Sequence, residues 1–261
     1  MLPFFTLLLS AATLAHKIPI FLLAGQSNMS GRGGVAGNSW DHFHLTPPPC
    51  RPTPDILRLS SRLLWEEARE PLHADIDVHK TCGVGPGMPF AHAVLAGGSA
   101  PAPLGLVPCA VGGTAISEWG RGRRLYLNLV RRARAAVEKG GILAAVLWYQ
   151  GESDTVSKVD AEAYGRRMET LVWDLRRDLD EPDLLVIQVA LASGEGKYVD
   201  IVRKAQKGMK VRNVLCVDAD GLQLEPDNLH LTTGAQVTLG QMLADAYLNH
   251  TAVSSRFVRD L

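Results

Sequence analysis

Ile18-Pro19-Ile20-Phe21-Leu22-Leu23-Ala24 is an unbroken apolar run of strand length that stops at Gly25-Gln26-Ser27-Asn28-Met29. A strand with one wet face alternates apolar and polar residues, so a run apolar throughout belongs to a strand buried on both faces, as in a parallel sheet covered by helices. Similar runs recur at Leu104–Val111, Leu143–Tyr149, Leu184–Leu191 and Val214–Val217. Helical patterns lie between them. In residues 160–179, Tyr164, Met168, Leu171, Val172, Leu175 and Leu179 recur at three and four positions, which predicts one apolar stripe on an amphipathic helix. Tyr126, Leu129, Val130, Ala133 and Val137 do the same, with Gly140 and Gly141 placed to end the helix. A last helix is expected from Thr232 or Thr233 to about Leu248. Alternating strands and helices predict an α/β fold with right-handed crossovers, and such sheets bind ligands beyond the carboxyl ends of their strands.

The 261 residues are 46% hydrophobic, without low-complexity segments or repeats, which fits one domain with a substantial core over residues 16–261. Lys plus Arg equals Asp plus Glu at 27 each, with no long block of one sign, so nucleic acid is not an expected partner. Residues 1–15, MLPFFTLLLSAATLA, carry no charged side chain and place small residues, Thr13 and Ala15, where a signal peptidase needs them. A cleaved signal peptide and a secreted protein are expected, the alternative being an uncleaved hydrophobic extension of a cytoplasmic protein; the run is too short to span a bilayer, so a membrane protein is disfavoured.

Cys50, Cys82, Cys109 and Cys216 form no Cys-x-x-Cys spacing, and His42, His44, His73, His79 and His92 no metal-like one, so neither metal nor cofactor is inferred. Cys109 and Cys216 fall in runs expected to be buried strands. Cys50 and Cys82 lie in Pro/Gly-rich loops and in a secreted protein are candidates for a disulfide. Residues 31–55 read as a long ordered loop around Trp40 and Phe43, and this loop and residues 82–89 are expected to shape a ligand site.

Four loops carry reactive groups. Ser27 follows the first buried strand, at the edge where the sheet presents ligands; a serine filling a tight turn is the equally good alternative for that residue alone. Gly-x-Ser-x-Gly is not met, because position 29 is Met. Asp227 and His230, three residues apart ahead of the last helix, supply a carboxylate and an imidazole from one loop, which is what activating a serine hydroxyl requires. Gly112-Gly113-Thr114 and Gln150-Gly151-Glu152-Ser153 each follow a predicted strand and offer hydrogen-bond donors for a developing oxyanion. Singly each also reads as an ordinary turn; together they make the parts list of acyl transfer.

In that order and over residues 17–249, GQSNM, GGT, WYQGESD and DNLHLT resemble the plant members of carbohydrate esterase family 6, whose domain is named after sialate O-acetylesterase and lies within the SGNH superfamily. The resemblance implies a flavodoxin-like three-layer α/β/α sandwich with a central parallel sheet. It also implies Ser27 as nucleophile, Asp227 and His230 as its partners, and an oxyanion hole from the Ser27 and Gly113 amides with the Gln150 side chain. The wider superfamily has Asn where this chain has the longer Gln150. The implied activity is removal of acetyl groups from acetylated carbohydrate, xylan among the candidates. An acetyltransferase using the same triad and a sugar-binding protein that has lost catalysis are the alternatives; intact Ser27, Asp227 and His230 weigh against the latter. Glu152 is expected either to hold a loop or substrate or to be solvated, and Arg32 and Trp119 either to line a sugar site or to pack loops. Because an ordinary histidine titrates near about 6.5, activity is expected to decline on the acid side of that value.

Overall fold

The run at 18–25 becomes β1 (Ile18–Gly25), buried at every position but its first. On either side lie β6 (Leu104–Pro108) and β7 (Gly141–Tyr149), both parallel to it. The computed structural model describes residues 17–40, 46–98 and 100–259, and in it these strands centre a seven-stranded sheet. With β4 (Ile56–Leu59), β5 (Trp65–Glu67), β8 (Leu185–Ala190) and β9 (Val214–Asp218), the order is β5-β4-β6-β1-β7-β8-β9. Every pairing is parallel except β4 with β5 at the edge. The signal-peptide expectation and Phe43 lie outside the described residues.

Side-chain register assigns the helices to faces. Phe21 packs edge-to-face on Phe90 of α2 (Gly87–Ala96) and Tyr247 of α6 (Thr233–Arg259), ring centroids 4.8 and 5.0 Å away. Phe21 is in register with Ala145, so Trp148, three positions further along β7, points to the opposite face. There its indole N–H donates to the Tyr164 hydroxyl of α4 (Lys158–Asp178) at 3.2 Å. Tyr126 of α3 (Arg124–Glu138) donates to Asp178 of α4, and α5 (Val199–Gly208) packs on α4, so these three helices share that face. The result is the expected three-layer α/β/α sandwich.

The direction in which the chain adds strands reverses at β1, with β4 and β6 on one side and β7 to β9 on the other. That reversal opens a crevice beyond the carboxyl end of β1, the usual ligand position in such sheets. The loops after β6 and β7 flank it.

Several elements are not foreshadowed by the apolar runs. Residues 31–55 contain a small hairpin, β2 (Val35–Ala36) with β3 (Ser39–Trp40), and a short 3₁₀ turn at Pro48–Cys50. The last helix continues past Leu248 because no Gly or Pro stops it before Arg259. The four cysteines are free thiols, so the candidate Cys50–Cys82 bridge is not formed: Cys50 is in the core, and the Cys82 sulfur lies 3.4 Å from the Arg32 guanidinium. Cys216 is exposed rather than buried, since β9 closes the sheet as an edge strand. No described helix is long and apolar enough to cross a membrane.

Candidate active site

The chain turns sharply at the end of β1. Gly25 has φ of +127°, and a Cβ there would overlap the Tyr149 carbonyl, so only glycine fits. The turn delivers Ser27 as the first residue of the short helix α1 (Ser27–Ser30). The Ser27 hydroxyl lies 2.9 Å from His230 Nε2, and His230 Nδ1 lies 2.6 Å from Asp227 Oδ2. The Asp227–His230 loop is preformed: Asp227 Oδ1 accepts the backbone N–H of Leu229 and of His230, each at 2.9 Å, and Asn228 takes a left-handed φ of 55°. Partial burial raises the Asp227 pKa, but the two amides and the imidazole outweigh it and hold the carboxyl below its ordinary value. A hydroxyl, an imidazole and a carboxylate in this chain are the parts of a base-activated nucleophile.

Residues next to Ser27 tie the other loops to it. Gln26 Oε1 accepts from the Gln150 side chain (3.1 Å) and from the Gly151 and Ser153 amides (3.2 and 3.4 Å), fixing the loop after β7. Asn28 reaches Glu152 on one side and the backbone around His230 on the other. Ser30 donates to Asp77 Oδ2 at 3.0 Å, and that oxygen also accepts the Gly112 N–H at 3.1 Å and Arg32 Nη2 at 2.5 Å. Asp77, absent from the sequence reading, thus clamps the loop after β6 against Ser27. An ideal Cβ on Gly112 would lie 3.4 Å from Ser27 Cβ and 2.5 Å from the Arg32 guanidinium.

Gly113 adopts φ of +71° with open space where a side chain would be. Among the described residues neither its N–H nor that of Ser27 has an acceptor, so both are free to bind a ligand oxygen. Gln150 departs from expectation. Its side chain is fully buried, and its two N–H bonds already face three acceptors: Gln26 Oε1, the Thr114 carbonyl at 2.8 Å and Asp154 Oδ2 at 2.7 Å. In this geometry Gln150 braces the loops and has no N–H left for an oxyanion.

The candidate sugar contacts also turn inward. Trp119 is fully buried, donates to Thr114 Oγ1 at 3.1 Å and packs edge-to-face on Trp148 at 5.1 Å, so it anchors the loop after β6. Arg32 borders a groove, but its guanidinium is committed to Asp77, Ser30 and the Gly31 carbonyl. Glu152 is fully buried; burial, with smaller contributions from Glu195 and Asp154, pushes its carboxyl up to about 7. The groove, about 950 Å³, is open and runs beside the triad between the β2–β3 hairpin and the Asp227 loop, lined by Val35, Asn38, Lys80, Glu225 and His230 among others. Its hairpin wall comes from residues 31–55, whereas residues 82–89 are buried, the last three of them in α2.

Comparison with known proteins agrees with this architecture. The family model described as carbohydrate esterase, sialic acid-specific acetylesterase, matches residues 17–249. A probable carbohydrate esterase of Arabidopsis thaliana is 58% identical over 238 residues, covering 88% of this chain and 90% of its own. A crystal structure of an Arabidopsis thaliana protein superposes with a TM-score of 0.85 at 57% identity, covering 89% of this chain and 98% of that one. The crystal structure of NanS shares the fold at 18% identity, with a TM-score of 0.70 over 94% of this chain and 98% of its own. The sheet and its flanking helices share the fold of NanS, and the chain belongs to the carbohydrate esterase, sialic acid-specific acetylesterase family.

Proposed function

We propose that the chain is a serine esterase that removes O-acetyl groups from acetylated carbohydrate through an acyl-enzyme, with Ser27, His230 and Asp227 as its triad. The observation that carries the reading is the continuous contact from Ser27 Oγ to His230 Nε2 at 2.9 Å and from His230 Nδ1 to Asp227 at 2.6 Å. Ser27 Oγ attacks the acetyl carbonyl while its proton passes to His230 Nε2. The carbonyl oxygen becomes an oxyanion held by the Ser27 and Gly113 N–H groups. Collapse of the tetrahedral species breaks the bond to the sugar oxygen, which leaves with the proton from His230. A water molecule then gives a proton to His230 and attacks the acetyl-serine; release of acetate returns the proton to Ser27. Asp227 keeps Nδ1 protonated and stabilises the imidazolium throughout, without itself taking the proton.

An open groove beside the triad suits a sugar chain approaching from solvent, and acetylated xylan is the first polymer to try. The test is acetate release from acetylated xylan and from a small aryl acetate, by the unaltered protein and by Ser27→Ala. The reading expects release from at least one substrate and its loss in the variant; release that survives Ser27→Ala refutes it.

A further inference from the structure

We propose that Glu152 is a positioning residue for His230, acting through the side chain of Asn28. This rests on the reading of His230 as the catalytic base. Asn28 Nδ2 donates to Glu152 Oε1 at 2.8 Å and to the Leu229 carbonyl at 3.3 Å, while Asn28 Oδ1 accepts the Leu231 N–H at 2.9 Å. Leu229 and Leu231 are the two chain neighbours of His230, so one amide holds the backbone on both sides of the imidazole. Further anchors fix the same pieces: Gln236 donates to the Asn28 carbonyl at 3.1 Å, and Ser193 to the Leu229 carbonyl at 2.5 Å.

An asparagine amide is nearly symmetric in shape, so its two ends are told apart only by hydrogen bonding. Turned over, it would set its NH₂ against the Leu231 N–H and lose that tie. Glu152 Oε1 accepts from Asn28 Nδ2 when the carboxyl is ionised or carries its proton on Oε2, and so selects the end of Asn28 that faces it. The side chain is fully buried, so it is not placed to touch a sugar. Its second oxygen, Oε2, is buried without a partner among the described residues. Such an atom costs free energy that an apolar residue of the same size would avoid, which points to a task for the carboxyl other than filling space.

The test is steady-state hydrolysis of an aryl acetate by Glu152→Ala, Glu152→Gln, Asn28→Ala and the Glu152→Ala/Asn28→Ala double variant, each checked for cooperative melting. Displacing a catalytic group by about 1 Å costs on the order of 10²-fold in rate, so Glu152→Ala and Asn28→Ala are expected to lose kcat on that scale with KM changed less than about twofold. Glu152→Gln keeps the acceptor and is expected to stay within a few-fold of the unaltered kcat. The double variant is expected to lose no more than either single one, because the two act as one unit. A rise in KM at unchanged kcat, a Gln variant as impaired as the Ala variant, or losses that multiply in the double variant would overturn the proposal. Should Glu152→Ala fail to fold, unaltered kcat in Asn28→Ala overturns it equally. Ser27→Ala in the same assay separates the two ideas, since activity surviving there removes the triad itself.

Discussion

Replacing Asp77 with Ala should destabilise the protein far more than breaking a surface ion pair, and should also reduce activity. The Asp77 side chain is 1% exposed and that of its partner Arg32 7%. Exposed pairs contribute only about 0.2–1 kcal/mol, whereas removing one member of a buried pair costs about 3–5 kcal/mol because the other charge is left buried and uncompensated. The same substitution strips the acceptor from the Gly112 N–H and the Ser30 hydroxyl. For a domain of this size each kcal/mol moves the melting temperature by about 2–4 °C, so a fall of roughly 6–20 °C is expected by differential scanning calorimetry. The informative companion is Arg32→Met/Asp77→Leu, which removes both charges and fills the space with apolar groups. It should regain most of the lost melting temperature, since a buried pair can often be replaced by hydrophobic residues at little cost. It should not regain acetate release, because Gly112 still lacks the acceptor that holds its loop beside Ser27. A melting temperature of Asp77→Ala within about 2 °C of the unaltered protein would rule out a stranded buried charge at Arg32.

Burial lifts Glu152 from an ordinary 4.5 to about 7, and Glu70 likewise to about 7, so between those values the folded state holds more protons than the unfolded one. Stability should therefore fall as the pH rises from about 4.5 to about 7 and level off above. The share of fully buried Glu152 is about 3 kcal/mol, and Glu152→Gln should lose that share while keeping the share of Glu70, as read by urea unfolding across that range. Gly112→Ala should impair acetate release more than Gly113→Ala, because a Cβ at 112 runs into the Arg32 guanidinium while one at 113 meets open space and only the strain of its positive φ. Equal kcat for these two variants would contradict the described clamp.

The sequence makes most of the layering legible, and physical reasons separate what it shows from what it hides. β1, β6, β7 and β8 are apolar at every or nearly every position because helices cover both faces, and that signal survives without partners. β4 and β5 are short, contain Arg58, Glu66 and Glu67, and lie at the edge, so neither run length nor alternation marks them. The helix Gly87–Ala96 contains Pro89 and buries side chains around much of its surface, which blurs the helical stripe. In the site, Ser27, Asp227 and His230 stand out by residue type next to predicted strand and helix ends. Whether Arg32, Trp119 and Glu152 face substrate or core is invisible to spacing, and all three turn inward. Asp77 gives no local signal at all, because its role arises from contacts with residues 35 and 45 positions away.

Ser27 as nucleophile is tested most directly by covalent labelling with an aryl organophosphorus ester followed by peptide mass mapping. The predicted result is one adduct per chain, on the peptide containing Ser27, rising in step with the loss of acetate release. Complete labelling of another residue with loss of activity, or full inactivation with Ser27 unlabelled, would contradict it.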